Sequence, residues 1–235
     1  MMPIMAEPSF FVSQSSRLPS ISEVFSGAVF WRMVQRVGIA AGAFMVLLAL
    51  SWHRTGPSFV DDRMLQGYQP SSSSLTFRTA NLVSLFGSPG VVVVLGVVVA
   101  AALWFRHRAA PWALAALAAP AIAGAAEVTL KVIVARPRPI SAGIVGDAGN
   151  GFPSGHAAGF SALMLVVALA VAALSHHRRI GYLVAALIAS VAMAASRVLV
   201  GAHYPTDVLA GVLLGIAVAD MVAFIATRLS EPVSL

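Results

Sequence analysis

The sequence predicts an all-α polytopic membrane protein, a single bundle of six transmembrane helices. Hydrophobic residues make up 59% of the 235 residues and charged residues 10%, whereas soluble domains are about 45–50% apolar and about 25% charged. Six segments also have the length of about 20 mostly apolar residues that crosses a bilayer as a helix. The chain has no cysteine, which excludes disulfides, Cys-bound zinc, iron–sulfur clusters and thiol catalysis.

The six predicted spans follow one another along most of the chain. Their valine-rich stretches would suit strands, but such unbroken apolar length favours helices. The predicted spans cover residues 33–52, 81–105, 111–134, 154–174, 180–198 and 205–227.

The predicted domain organisation is one membrane domain, 33–228, between an N-terminal cytoplasmic or interfacial arm, 1–32, and a short cytoplasmic tail, 229–235. The arm lacks the basic start, apolar stretch and cleavage site of a signal peptide. The longest connection, 56–79, is predicted to be surface-like, with part of it lying on the membrane interface. Its polar residues include Asp61, Asp62, Ser71–Ser74 and Arg78, and its apolar ones Met64, Leu65, Leu75 and Phe77.

The basic excess predicts the orientation of the bundle. Lys and Arg number 15 against 9 acids, a net charge of +6, which in a soluble protein would hint at nucleic acid. In a membrane protein it indicates headgroup contacts and topology signals, so no nucleic-acid partner is expected. Eight arginines fall on the side of the termini. The opposite side has seven basic residues, and four remain when Lys131, Arg138 and Arg197, which are assigned to a ligand below, are left out of the count. The positive-inside rule then predicts cytoplasmic termini and a site that faces the periplasm or the exterior. The eight are Arg17, Arg32, Arg36, Arg106, Arg108, Arg178, Arg179 and Arg228.

Three polar clusters fall on the same predicted membrane face, opposite the termini. The first follows the third span, the second begins the fourth, and the third lies between the fifth and sixth. Their residues are Lys131, Arg138 and Pro139, then Pro153, Ser154, Gly155 and His156, then Ser196, Arg197, His203 and Asp207.

The cations of these clusters predict an anion-binding site. Lys131, Arg138 and Arg197 lack enough nearby acids, and half-buried cations need anionic partners. A phosphate group would supply that charge, and arginine binds its oxygens bidentately. The helix start at Ser154 and Gly155 adds free backbone N–H groups, and a glycine lets a ligand approach closely.

The histidines add a possible nucleophile and a possible acid. His203 and Asp207 lie four residues apart near the start of the sixth helix, so Asp207 can reach one ring nitrogen of His203. That contact would fix the tautomer and leave the other nitrogen to attack phosphorus. His156 would protonate the leaving oxygen as general acid.

On these residues the chain resembles the type 2 phosphatidic acid phosphatase family, which shares its site with vanadium haloperoxidases. The family pattern is Lys-x6-Arg-Pro, Pro-Ser-Gly-His and Ser-Arg-x5-His-x3-Asp, and every position of the three clusters matches it. The resemblance implies a metal-independent lipid phosphatase of the cell (inner) membrane that needs no cofactor and forms a phosphohistidine on His203. Its implied substrate is a lipid phosphate, first a polyprenyl diphosphate such as undecaprenyl diphosphate, alternatively phosphatidylglycerophosphate or phosphatidic acid.

Other functions fit the sequence less well. A transporter would carry charges at mid-span in several helices, and only Glu127 and Asp220 are candidates. Haloperoxidases of the family are soluble, and this chain is not. Glu127 is predicted to be an i, i+4 partner of Lys131, whereas Asp220 has no predicted partner. Arg136 is left open as a headgroup contact or a residue that supports the site.

Overall fold

The computed structural model describes residues 27–52, 56–65, 71–139, 149–175 and 179–230. Within these ranges the chain forms eight helices and no strand. In chain order they are α1 Gly27–Ser51, α2 Phe59–Leu65, α3 Leu75–Phe86, α4 Pro89–His107, α5 Ala110–Val134, α6 Gly155–Ser175, α7 Arg179–Leu199 and α8 Pro205–Ser230.

Six of these helices are long and apolar enough to cross a membrane, namely α1 and α4 to α8. The predicted all-α fold with six membrane spans is therefore confirmed. Helix α6 lies at the centre, where it packs against α5, α7 and α8, while α1 covers the outer side of α8. The two short helices α2 and α3 lie against α8 and α7, respectively.

Small side chains fill the space between the helices, and large apolar side chains point outward. Ala116, Ala119 and Ala162 are fully buried, whereas Phe105 and Ile188 are exposed. This distribution is typical of membrane bundles, because lipid solvates large apolar side chains while small ones let helix backbones approach.

The start of the second span differs from the prediction, which placed it near residue 81. Helix α3 ends at Phe86 and is capped by Gly87, and Ser88 has an extended backbone before Pro89 begins α4. The residue before a proline is disfavoured in helical conformation, and proline suits the first turn of a helix. The break is short and lies between two apolar runs, so apolar length alone does not reveal it.

The first and last helices extend beyond the predicted spans. Helix α1 begins at Gly27, and α8 continues to Ser230, so helical structure reaches a few residues into the predicted arm and tail. The rest of the arm, 1–26, and of the tail, 231–235, lies outside the described residues. Arg17 and Arg178 of the topology count lie outside them as well.

The described part of the connection between the first two spans is mostly exposed, as predicted, but Asp61 is an exception. Asp61 in α2 is fully buried, while Asp62 beside it is exposed. In α3, Phe77 is partly buried against Ala80 and Val200. The prediction was wrong for Asp61 because it judged the carboxylate by its type, whereas Asp61 is buried together with a partner described below.

Two glycines let α8 approach α6 closely. A Cβ on Gly211 would lie 2.5 Å from the carbonyl oxygen of Ser154, and one on Gly215 would lie 2.6 Å from that of Ala158. The contact brings the starts of the two helices together, so that the backbone N–H of Ser154 donates to the carbonyl of Asp207 at 2.9 Å. Gly211 and Gly215 thereby align two of the predicted clusters.

At the opposite end of the bundle, Asp220 has a partner that the sequence did not reveal. Nε of Arg36 in α1 donates to Oδ2 of Asp220 in α8 at 2.9 Å. A carboxylate inside a span is costly unless it is paired. The pair joins α1 to α8 far from the three clusters.

Candidate functional site

The three predicted clusters meet at one cavity of about 700 Å³ between α4, α5 and α6. One end of the cavity is polar and one side is apolar, so it can hold a charged group and an apolar chain together. The polar lining is Glu127, Lys131, Arg138, Gly155, His156 and His203, and the apolar lining includes Val92, Val93, Gly96, Leu117, Pro120, Ala121 and Gly124.

His203 lies against Arg138 at the polar end. Nη1 of Arg138 is 2.7 Å from Nε2 of His203 and also donates to the carbonyl of Ala202 at 3.1 Å. Because a guanidinium only donates hydrogen bonds, Nε2 must carry the lone pair. The proton of the neutral ring is then on Nδ1, and the nitrogen that faces the cation is the one that can attack an electrophile.

Asp207 lies on the other side of the His203 ring, as its spacing predicts. Oδ2 of Asp207 is 3.6 Å from Nδ1 of His203, which is longer than a hydrogen bond. The same oxygen accepts from the backbone N–H of Tyr204 at 3.0 Å. The carboxylate therefore faces the protonated nitrogen and can approach it further when the ring gains charge.

Lys131 has the acidic partner that its sequence spacing predicts. Its Nζ forms an ion pair with Oε1 of Glu127, one helical turn earlier in α5, in agreement with the predicted i, i+4 contact. The Glu127 carboxylate touches the start of α6, where a Cβ on Gly155 would lie 2.8 Å from Oε1. A side chain at this position would displace the Glu127 carboxylate, which gives Gly155 a packing role besides the predicted one.

Arg197 and Ser154 are buried, and neither is among the residues that line the cavity. Arg197 is only 3% exposed, and its carbonyl accepts from the backbone N–H groups of Ala202 and His203 at 3.0 and 3.3 Å. Ser154 is fully buried, and its hydroxyl has no hydrogen-bond partner among the described residues. A hydroxyl in this situation is available to a ligand.

The remaining predicted residues support this arrangement. Pro153 is buried directly before Ser154, and Pro139 is partly buried after Arg138. Ser196 donates to the carbonyl of Met193 at 2.7 Å and lies 3.0 Å from the hydroxyl of Ser84. This last contact ties α3 to α7 directly beside Arg197.

The turn between α3 and α4 forms part of the site, which sequence reasoning missed. Gly87 lines the cavity. A Cβ there would lie 2.5 Å from Sδ of Met193 and 3.2 Å from Cβ of His156. The Gly87-Ser88-Pro89 break was the available signal, because it marks a place where the chain turns against another element.

Arg136 resolves the alternative that the sequence left open. It is fully buried and so makes no headgroup contact. Nη1 donates to Asp207 and Thr206 at 2.7 Å, and Nη2 donates to Asp61 at 2.7 Å. Its guanidinium also lies 4.4 Å from the ring centroid of Tyr204. A buried arginine that contacts an aromatic ring and pairs with two carboxylates holds these parts of the site together.

The ionisation of Asp61 follows from its surroundings. Burial alone would raise the pKa of its carboxyl, but hydrogen bonds from Ser58, Thr206 and Arg136 outweigh burial and hold the pKa below its ordinary value. Asp61 therefore stays charged at neutral pH.

The fold and the site define a polytopic membrane protein with a cationic, histidine-containing cavity. The PAP2 superfamily profile matches residues 110–229, more than half of the chain, so this protein belongs to the PAP2 superfamily. The predicted resemblance is confirmed.

Two relatives share parts of the chain. Phosphatidylglycerophosphatase B of Bacillus subtilis (strain 168) is 37% identical over 91 residues, which are 37% of this chain and 44% of that protein. The aligned part thus spans less than half of this relative. The crystal structure of a transmembrane PAP2-type phosphatidylglycerolphosphate phosphatase from Bacillus subtilis superposes with a TM-score of 0.70 at 23% identity, over 80% of this chain and 94% of that one. At this identity the superposition supports the fold alone.

Proposed function

We propose that this protein is an integral membrane lipid phosphatase that acts through a phosphohistidine at His203. The observation that carries the proposal is the pair of His203 and Arg138 in a cavity with both a cationic end and an apolar side. The cationic end suits a phosphate group, and the nucleophilic nitrogen points toward the same cations.

The chemistry takes two steps. In the first, Nε2 of His203 attacks phosphorus as the ester bond to the lipid breaks, and His156 gives its proton to the departing lipid oxygen. Lys131, Arg138 and Arg197 stabilise the charge that spreads over the phosphoryl oxygens. In the second step, water attacks phosphorus, the N–P bond breaks, and His156 takes up the proton of the water.

The apolar side of the cavity suits the chain of a lipid. Val93, Leu117 and Ala121 line the cavity and are also exposed on the outer surface of α4 and α5. In a bilayer that surface faces the hydrocarbon. A lipid can therefore enter sideways between α4 and α5, with its headgroup at the cations and part of its tail along the groove.

The proposed substrate is phosphatidylglycerophosphate. The sequence motifs concern the phosphate and not the tail, so they do not separate lipid phosphates, and polyprenyl diphosphates ranked first because they suit an outward-facing enzyme. The relative named phosphatidylglycerophosphatase B favours the alternative of that prediction. Phosphatidic acid and undecaprenyl diphosphate remain the substrates against which this preference is measured.

The proposed orientation follows from the charges at the two ends of the bundle. Arg32, Arg36, Arg106, Arg108 and Arg228 lie at the end opposite the cavity. Asp220 is the one acid at that end among the described residues. The positive-inside rule then places the termini in the cytoplasm and the cavity on the periplasmic or outer side.

The test is phosphate release by the purified protein in detergent from phosphatidylglycerophosphate, phosphatidic acid and undecaprenyl diphosphate. We expect the highest kcat/KM with phosphatidylglycerophosphate and no release by His203→Ala, which should elute and melt like the wild type. Activity should persist in EDTA and be inhibited by vanadate, which mimics five-coordinate phosphorus. Turnover by His203→Ala would contradict the assignment of His203 as the nucleophile. A preference for undecaprenyl diphosphate would contradict the proposed substrate.

A further inference from the structure

Three buried charged side chains link α2 to the start of α8. Arg136 lies between two carboxylates, and each carboxylate binds a different terminal nitrogen of its guanidinium. Nη1 donates to Oδ1 of Asp207, and Nη2 donates to Oδ2 of Asp61. All three side chains are fully buried.

We propose that Asp61 and Arg136 are positioning residues that hold Asp207 with its Oδ2 toward His203. They act through Asp207 and touch neither His203 nor the phosphate. The proposal rests on the function proposed above, because it concerns His203 as the nucleophile.

The geometry explains why Asp61 is needed in addition to Arg136. A guanidinium with both terminal nitrogens available binds one carboxylate through two parallel hydrogen bonds. Such a pair would engage both oxygens of Asp207 and draw Oδ2 away from His203. Because Asp61 takes Nη2, Asp207 receives Nη1 alone, and its Oδ2 stays beside Nδ1 of His203 at 3.6 Å.

Asp61 is itself held firmly enough to play this part. Its carboxylate accepts from the backbone N–H and the hydroxyl of Ser58 at 2.8 and 2.7 Å. It also accepts from the backbone N–H of Thr206, in the first turn of α8, at 2.9 Å. A buried charge persists only when its oxygens are satisfied in this way. Helix α2 is thereby fastened to the turn of α8 that carries Asp207.

The charge balance of the cluster also serves the reaction. Two carboxylates and one guanidinium leave one net negative charge beside Nδ1 of His203, while Arg138 lies on the Nε2 side. When Nε2 bonds to phosphorus, the ring becomes positive, and a buried negative charge at Nδ1 stabilises it. Replacing Asp61 by a neutral residue leaves Nη2 with the carbonyl of Gly56 as an acceptor, so that Nη2 can turn toward Asp207 and draw its Oδ2 away from His203.

The test is a double-mutant cycle on the full-length protein with phosphatidylglycerophosphate as substrate. Asp61→Asn should lower kcat roughly 10- to 100-fold, the range typical for a residue that orients a histidine through another group. Its KM should stay within about twofold, because Lys131 and Arg138 still bind the phosphate. Asp207→Asn should lower kcat at least as far. The double variant should match Asp207→Asn, since effects that pass through one residue do not add. Asp62→Asn, with an exposed side chain, is the matched control and should keep the wild-type kcat.

Two outcomes of the cycle would overturn the proposal. One is a wild-type kcat in Asp61→Asn. The other is a further loss, by the same factor, when Asp61→Asn is added to Asp207→Asn. If Asp61→Asn does not fold, Ser58→Ala replaces it, because it removes the two hydrogen bonds that the Ser58 hydroxyl makes with Asp61 and keeps the charge of Asp61. If Asp61→Asn is unfolded and Ser58→Ala keeps the wild-type kcat, Asp61 serves folding alone and the positioning role is overturned.

Orthovanadate binding separates this proposal from the proposed function, because it needs no turnover. Asp61→Asn and Asp207→Asn should both weaken vanadate binding by roughly tenfold. If they do so while no lipid phosphate is hydrolysed, the positioning role stands and the lipid phosphatase function fails. If the wild type hydrolyses lipid while Asp61→Asn changes neither readout, the function stands and the positioning role fails. A wild type that neither binds vanadate nor hydrolyses lipid overturns both.

Discussion

Arg138 donates a hydrogen bond to Nε2 of His203 at 2.7 Å. In the proposed mechanism this hydrogen bond must break for Nε2 to attack phosphorus, and Nη1 of Arg138 is then free to bind a phosphoryl oxygen. Arg138→Ala should therefore lower kcat/KM for a lipid phosphate by roughly a hundredfold to a thousandfold, as loss of one donor to a transition state does. Arg138→Lys should recover only part of this, because an ammonium lacks the planar fork.

The control for Arg138 is Arg78→Ala, which removes an exposed cation from α3. It should change kcat/KM by less than about twofold, since exposed charges are screened by salt. An equal loss in both variants would mean that the overall positive charge, and not the contact with His203, governs activity.

His156→Asn tests the general acid by varying the leaving group. The variant should lose roughly 10²- to 10⁴-fold in kcat on a lipid phosphate, whose alkoxide needs a proton to depart. It should lose much less in the initial burst of nitrophenolate from p-nitrophenyl phosphate, which reports the first step alone and needs no proton for departure. Asparagine keeps the Cβ that touches Gly87, so packing at the turn is preserved. Equal losses on both substrates would contradict the acid role.

The sequence could predict which residues lie together in the candidate site because short, fixed spacings separate them. Lys131 and Arg138 are joined by one helix end, and His203 and Asp207 by one turn. The six spans were predictable for a similar reason, because each is a continuous apolar run. Local spacing along the chain places each of these pairs, and the alternating direction of successive helices brings the pairs to the same end of the bundle.

The parts that the sequence could not predict depend on contacts between distant residues. Asp61 and Arg136 are 75 positions apart, and no sequence pattern in either segment indicates that the two side chains pair. Arg36 and Asp220 are 184 apart. The break at Gly87 was missed for a different reason, because two apolar helices on either side of a short turn look like one long apolar segment.

Gly215→Ala tests the close approach of α8 to α6. The added Cβ would lie 2.6 Å from the carbonyl oxygen of Ala158, so the helices must separate. The expected cost is at least about 1–3 kcal/mol, typical of overpacking, measured as a lower thermal midpoint in detergent. Gly38→Ala in α1 is the control, since its Cβ meets nothing within 4 Å and alanine favours a helix by ~0.5–1 kcal/mol. A wild-type midpoint in Gly215→Ala would contradict the contact.

The lowered pKa of Asp61 predicts how stability depends on pH. A carboxyl whose pKa is lower when folded than its ordinary value of 3.8 stabilises the fold fully above that value. The contribution is lost as the pH falls below it toward the folded-state pKa. Thermal midpoints of the wild type should therefore fall more steeply with acidification below about pH 4 than those of Asp61→Asn. Asp62→Asn should follow the wild type, and a wild-type slope in Asp61→Asn would contradict the shift.

Gly124→Phe tests whether the apolar side of the cavity holds a lipid tail. Gly124 lines the cavity, and a Cβ there meets nothing within 4 Å, so the first carbon of a new side chain meets no clash and the side chain can occupy the groove. The variant should raise KM for long-chain phosphatidylglycerophosphate by at least about tenfold, equivalent to roughly 1.4 kcal/mol of lost tail contacts. Hydrolysis of p-nitrophenyl phosphate, which has no tail, should be unchanged because the cations and histidines are untouched.

The matched control for the groove is Ala125→Phe, on the neighbouring position of α5 that is exposed on the outer surface and does not line the cavity. It adds the same side chain to the same helix but leaves the groove open, so KM for the lipid should stay near wild type. A rise in KM in both variants would indicate a general effect on α5. Unchanged KM in Gly124→Phe would mean that the tail lies elsewhere, and the lateral path between α4 and α5 would have to be abandoned.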